Sequence, residues 1–167
     1  MPVVDEIYLG NPNLKKANVS VEFTQEQLLE YVACREDPVY FAKQHVKIVS
    51  LDEGLTPFKP YDFQEKLIKN FHEKRFNICK MPRQTGKSTT CIAYLLHYLL
   101  FNDSVNIGIL ANKAATAREL LGRLQTAYEN VPKWMQQGVL SWNRGSLELE
   151  NGSKILAAST SASAVRG

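Results

Sequence analysis

Apolar positions along the chain recur at changing periods, and each period predicts an element. Residues 1–20 show little periodicity and read as an irregular lead-in. Thr24 followed by Gln27 has the capping-box pattern and predicts a helix carrying Leu28, Leu29, Val32 and Ala33, ending near Asp37-Pro38. Val39 to His45 suits a second short helical piece, and the stretch 52–60, with Gly54, Pro57 and Pro60, reads as a loop. Asp62 is placed as the N-cap of a helix running to about Lys74, with Phe63, Leu67, Ile68 and Phe71 roughly on one face. Phe76-Asn77-Ile78-Cys79 fits a short buried strand, and after a turn over Met81 to Gly86 a helix is predicted from Lys87 to Phe101. Beyond its first turn that helix is apolar nearly all round, so it should be buried.

Val105 to Ala111 predicts another buried strand, and Ala114 to Asn130 another helix with Leu120, Leu121, Leu124 and Ala127 inward. This strand–helix–strand–helix order implies α/β architecture, with a right-handed βαβ unit and a parallel sheet. The rhythm then changes. Ser146 to Glu150 alternates polar and apolar, Asn151-Gly152 is a strong two-residue hairpin signal, and Lys154 to Ala157 returns, giving a β-hairpin inserted on the core. No internal repeat or low-complexity tract is visible.

Composition narrows the class only a little. The 167 residues make one domain's length and a net charge of +3, which permits contact with a polyanion without requiring one. Lys15-Lys16, Lys66, Lys69 and Lys74-Arg75 read as solvated surface. Cys34, Cys79 and Cys91 are odd in number and none stands in a C-x-x-C pair, which argues against zinc and against a disulfide framework. There is no secretory signal, and the most hydrophobic run, Cys91 to Phe101, is too short to cross a bilayer. The expectation is a soluble protein of a reducing cytoplasm.

Candidate chemistry concentrates in Met81-Pro82-Arg83-Gln84-Thr85-Gly86-Lys87-Ser88, between the predicted strand and helix. A helix N-terminus offers inward N–H groups and a favourable dipole to a triphosphate. Gly86 lets the backbone approach closely, Lys87 brings a point charge to the β and γ phosphates, and the Ser88 hydroxyl is a hard ligand for Mg²⁺. Gln84, Thr85 and Thr89 complete the candidate ATP-binding set. The general P-loop pattern has glycine at its first position, where Met81 stands here. Arg83 can reach a γ-phosphate and stabilise charge developing in transfer; outside a P-loop it would be a surface salt-bridging residue. One helix upstream, Phe63-Gln64 can hold adenine, the ring packing on the base and the amide pairing with N6 and N7. The plainer alternative makes Phe63 core and Gln64 solvated.

With these residues in place the chain resembles the large terminase subunit of tailed bacteriophages, on the myovirus-like branch. The resemblance runs over nearly the whole length. It includes the stretch from Gly10 to Asn18, the Phe63-Gln64 pair, the loop from Arg83 to Ser88 and the segment from Gly108 to Lys113. Later it includes Trp142 to Ser146, Asn151 to Ser153 and Ala164-Val165-Arg166-Gly167. It implies a RecA-like P-loop NTPase, with residues 1–52 a helical amino-terminal segment and 53–167 the first part of the ATPase domain. It also implies a motor that drives double-stranded DNA into a procapsid through the portal protein, working as a homo-oligomeric ring with the small terminase subunit. The place of action would be the host cytoplasm at the portal, with no membrane involved. Carried over, Lys87 and Ser88 bind phosphate and Mg²⁺, Phe63 and Gln64 hold adenine, Arg83 acts as an arginine finger within the subunit, and Arg166 lies near the pocket with a catalytic role. Pro82 stands where relatives often have a small residue, and Phe63 where many have tyrosine.

An ATPase of this type also needs an acidic pair at the end of a further strand. Asp62, Asp103 and Glu119 do not follow apolar strands and read as caps or solvated groups. The expectation is therefore an amino-terminal fragment, without that pair and without the family's RNase H-like nuclease, that turns over little ATP alone. Two other readings stay open at this point: a superfamily 2 helicase or translocase, and a non-catalytic nucleotide-binding module.

Overall fold

A computed structural model of the chain describes residues 6–50 and 52–160. The elements are β1 (Ile7–Tyr8), β2 (Asn11–Lys15), α1 (Gln25–Glu36), α2 (Pro38–His45), β3 (Lys47–Ser50), β4 (Gly54–Pro57), α3 (Asp62–Glu73), α4 (Lys87–Phe101), β5 (Asn106–Ala111), α5 (Ala114–Glu129), β6 (Val139–Trp142), β7 (Ser146–Leu149) and β8 (Lys154–Ser159). Two small antiparallel hairpins, β1–β2 and β3–β4, accompany a four-stranded mixed sheet of order β5-β8-β7-β6.

The helices begin where local chemistry starts them. Thr24 caps α1 through its hydroxyl, which accepts from the Gln27 N–H, while the Gln27 side chain accepts from the Thr24 N–H. Asp37 caps α2 by accepting from the N–H groups of Val39 and Tyr40, with Pro38 preset at the first position. At α3 the N-cap is Tyr61 rather than Asp62, which is already helical. The Gln64 carbonyl oxygen accepts from the Tyr61 N–H at 2.9 Å. Tyrosine has no short side-chain acceptor for the first turn, so only this half of a reciprocal cap is made.

Helix α4 is the central rod. Ile92, Ala93, Leu96, Leu99 and Leu100 are buried along it, and it packs against α2, α3 and α5. Each fully buried leucine stabilises the fold by roughly 1.5–3 kcal/mol. His97 is buried on the same rod and donates from Nε2 to the carbonyl oxygens of Cys34 and Arg35 at 2.9 and 3.2 Å. Burial pushes its imidazole down to about 4, so the ring is neutral at pH 7. Helix α5 packs on β5 and β8 with Leu121, Leu124 and Ala127 buried, and Ile109, Leu147, Leu149 and Ile155 of the sheet join the same core.

Four expectations need correction. Phe76 to Cys79 is not a strand: its backbone joins no sheet, and Phe76 and Ile78 are 82% and 100% exposed. A four-residue run becomes a buried strand only when neighbours take its N–H and C=O groups and cover both faces. No described strand does so, and the Arg75 guanidinium lies 5.1 Å above the Phe76 ring instead. The sheet is mixed rather than parallel: β5 and β8 pair parallel, whereas β7 pairs antiparallel with both β8 and β6. The crossover through α5 thus joins β5 to β8, and the 146–157 hairpin is part of the sheet itself.

The lead-in is ordered as β1–β2 and tied down from a distance. Gln136 Oε1 accepts from the Lys15 N–H at 3.0 Å, and Glu150 accepts from the Asn18 and Gly138 N–H groups at 2.8 and 2.7 Å. The 52–60 loop contains β4, paired in register with β3. On α1, of which the sequence predicts no inner face, Leu28, Leu29 and Val32 are exposed and Cys34 is the buried residue.

Candidate functional site

The segment before α4 forms a tight concave turn. Gln84 and Gly86 both take left-handed backbone conformations, with φ of 62° and 73°. That region costs a non-glycine residue about 1 kcal/mol or more, so Gln84 is strained and Gly86 is not. The bend brings Lys87 back over the loop that precedes it. Its Nζ donates to the carbonyl oxygens of Met81 at 2.7 Å and Pro82 at 2.6 Å. The Thr85 hydroxyl donates to the same Pro82 oxygen at 2.9 Å.

The first turn of α4 is fixed by Thr90. Its backbone N–H and its hydroxyl both reach the Gly86 carbonyl, at 2.9 and 2.8 Å, and the side chain is fully buried. Sequence reasoning does not single out Thr90, because a hydroxyl bonding back four residues leaves no distinctive spacing. N–H groups in a helix's first turn have no partner within the helix and face outward as donors. Ser88 is exposed on that turn and Thr89 half-buried. Arg83 is exposed at the apex of the loop.

Helix α3 supplies the wall. Gln64 is only 4% exposed, and its Nε2 donates to the Thr85 carbonyl at 3.4 Å while its oxygen holds the Tyr61 N–H. A Cβ added at Gly86 would fall well inside van der Waals contact with Gln64 Nε2. Position 86 favours glycine by its φ, and any Cβ there would also displace the Gln64 amide. Phe63 is 44% exposed and stacks on Tyr61, with centroids 5.8 Å apart and planes within 10°. The alternative reading of this pair is reversed in detail, since the glutamine is buried and the aromatic ring half-exposed.

The structure therefore brings Gln64, Thr85, Gly86 and Lys87 together, with Ser88 and Thr89 on the following turn and Phe63 beside Gln64. Arg166 lies outside the described residues. An ammonium resting on two neutral carbonyls, beside a row of first-turn N–H groups, is an arrangement that an anion of several oxygens can occupy by displacing the weaker carbonyl contacts.

Cys34, Cys79 and Cys91 are free. Among the described residues no helix is long and apolar enough to cross a membrane.

Residues 78–167, more than half of the chain and including the whole loop, match the family model described as terminase large subunit, T4likevirus-type, N-terminal. The match begins three residues before the loop's first expected position and continues through α4, α5 and the mixed sheet. The chain belongs to the family of T4likevirus-type large terminase subunits, proteins of phage DNA packaging, and carries the amino-terminal part of that family's pattern.

Proposed function

We propose that this chain is the ATP-binding part of a phage packaging motor, in which hydrolysis is coupled to movement of double-stranded DNA into the procapsid. The single observation that carries the reading is the position of Lys87, whose ammonium is folded into the concavity of its own loop onto the Met81 and Pro82 carbonyls. Triphosphate oxygens entering that concavity are stronger acceptors than carbonyls, because the bonds become charge-assisted at both ends. Lys87 would turn onto the β and γ phosphates, while the first-turn N–H groups of α4, with Gln84, Thr85 and Gly86, wrap the rest.

Ser88 would supply one oxygen to Mg²⁺, which brings charge neutralisation between the β and γ phosphates when bound. Arg83, exposed at the apex, has the reach to meet the γ-phosphate. The adenine would lie against the exposed ring of Phe63. Gln64 would exchange its long 3.4 Å contact with the Thr85 carbonyl for the base, so that adenine recognition and loop shape become linked through one side chain. The portal protein, the small terminase subunit and a ring of like subunits follow from this reading as partners, with action at the portal in the host cytoplasm.

The test is binding of a fluorescent ATP analogue in the presence of Mg²⁺, comparing the wild-type chain with Lys87→Ala. Loss of at least tenfold in affinity is expected, since each removed charge-assisted contact is worth about 1.5–3 kcal/mol. Equal affinity of the two proteins, with both folded by circular dichroism, would overturn the assignment of the loop.

A further inference from the structure

A second convergence of reactive atoms lies outside the 81–88 loop. Glu30 and Cys34 stand one turn apart on the same face of α1, and His45 closes α2. The connection at Asp37, with Pro38 at the first position of α2, folds the two helices back so that all three side chains meet. Glu30 Oε1 is 2.7 Å from His45 Nε2 and 3.5 Å from Cys34 Sγ, and the three donor atoms lie within 4.8 Å of one another. The Tyr40 hydroxyl donates to the other carboxylate oxygen, Oε2, at 2.8 Å, which fixes the rotation of the carboxylate.

We propose that Glu30, Cys34 and His45 bind one borderline-soft divalent cation of the Zn²⁺ class, which joins α1 to α2. The donor set selects that class: one thiolate sulfur, one imidazole nitrogen and one carboxylate oxygen are the ligand types of zinc sites. A hard cation such as Ca²⁺ or Mg²⁺ requires several oxygens, and this cluster presents one carboxylate. The distances suit it as well. Metal–ligand bonds of about 2.0–2.3 Å in a tetrahedron put ligand atoms roughly 3.3–3.8 Å apart, between the shortest and longest separations here. Three protein ligands leave a fourth position for water, and the site has an open side: the side chains of Glu30 and His45 are 29% and 14% exposed. Tyr40 then acts from behind, orienting the carboxylate as outer partners of metal ligands do.

The protons balance as follows. Cys34 enters as a thiol, kept protonated by burial and by the Glu30 charge beside it. Binding transfers its proton to solvent, and His45 would ligate through Nε2 as a neutral ring with its hydrogen on Nδ1. At least one proton is released per cation, so affinity rises about tenfold for each pH unit below the thiol's titration. The absence of a second cysteine at C-x-x-C spacing hides such a site from the sequence, because its ligands come from two helices and three residue types.

The experiment is titration of the purified chain with Co²⁺, which reports thiolate coordination by a sulfur-to-metal charge-transfer band and tetrahedral geometry by its visible bands, followed by displacement with Zn²⁺. A Cys79→Ser background removes the exposed thiol as a competing ligand. One Co²⁺ per chain is expected, with the charge-transfer band lost in Cys34→Ser and affinity lowered at least tenfold in His45→Gln. His45→Gln guards against failure of the buried cysteine variant to fold, which circular dichroism would reveal. Absence of the band in the parent protein, or its persistence at unchanged affinity in the folded His45→Gln chain, would overturn the proposal. The 81–88 loop contributes nothing to this readout, so the outcome is independent of nucleotide binding.

Discussion

Gly86 and Gln64 are coupled by a contact that can be measured. Replacing Gly86 with alanine imposes two costs. The first is conformational: φ of 73° lies in the left-handed region, which costs an alanine about 1–2 kcal/mol. The second is steric: the new methyl collides with the Gln64 amide nitrogen. Thr90 anchors the Gly86 carbonyl with two bonds, so the flexible end of the glutamine is the partner that leaves. On leaving, it gives up its bond to the Tyr61 N–H and the longer one to the Thr85 carbonyl, together worth about 1–2 kcal/mol.

Gly86→Ala should therefore cost about 2–4 kcal/mol, and Gln64→Ala alone about 1–2 kcal/mol, from the same terms. The double variant should cost no more than Gly86→Ala, because the glutamine has already been expelled. The coupling free energy is then about 1–2 kcal/mol, well beyond the scatter expected of independent sites. Urea unfolding followed by far-UV circular dichroism, with a check that the m-value is unchanged, gives all four corners of the cycle. Additive losses, within about 0.5 kcal/mol, would refute the reasoning and mean that the glutamine does not form the wall of the loop.

Three further outcomes follow from single residues. Glu150 holds its carboxyl below the usual 4.5: burial pushes it up, but the N–H groups of Asn18 and Gly138 and the Lys15 ammonium outweigh burial. A depressed folded-state value means its stabilisation is complete above the unfolded carboxylate range and is lost as pH falls through the folded value. In urea titrations the gap between wild type and Glu150→Gln should be widest near neutral pH and close as pH falls through the depressed folded-state value; a gap constant with pH would contradict the charge-assisted reading. Ile78→Ser should change stability by less than about 0.5 kcal/mol, since the side chain is fully exposed, whereas a covered strand position would lose several times that. Thr24→Ala should cost about 1 kcal/mol, because the hydroxyl is the acceptor that closes the capping box; an unchanged midpoint in urea would remove the cap from the account.

What could be read from the residues divides along the range of the forces involved. The ends of α4 and α5 follow from signals confined to a few residues, as does the hairpin around Asn151-Gly152. The strand expected at Phe76 to Cys79 failed for the opposite reason. A strand is a property of its neighbours, and four residues carry no information about whether a partner edge arrives. The same holds for the anchoring of β2, which relies on Gln136 more than a hundred residues on, and for β6, whose pairing includes one irregular register step. Leu28, Leu29 and Val32 gave the right helix but lie on its exposed side. The helix is held instead by the Cys34 and Arg35 carbonyls that receive the His97 proton and by the convergence on Glu30. In the candidate site, Lys87 and Gly86 were legible from their letters, but the burial of Gln64 was not, because amphipathic patterning places every glutamine outside. The available signal was its position three residues after the N-cap, where a side-chain oxygen turns back to the backbone.

The loop's strain and the helix's burial belong to one argument. A turn with two left-handed residues in three, one of them a glutamine, would straighten if it joined flexible segments, since relaxing Gln84 alone recovers about 1 kcal/mol. It persists because its carboxyl end is continuous with the most deeply buried helix of the fold. Moving Gly86 would shift Thr90, Ile92 and Ala93 against neighbours that leave them almost no exposed surface. Close-packed interiors resist such shifts far more steeply than a strained dihedral favours them. The other end of the loop has no comparable anchor: Phe76 and Ile78 stand in the open. The rigid half of the concavity is therefore the helix N-terminus with Lys87 and Ser88, and the yielding half is Met81 to Arg83. An anion would be met by donors already in place on one side, while the carbonyls that now hold the lysine swing away on the other.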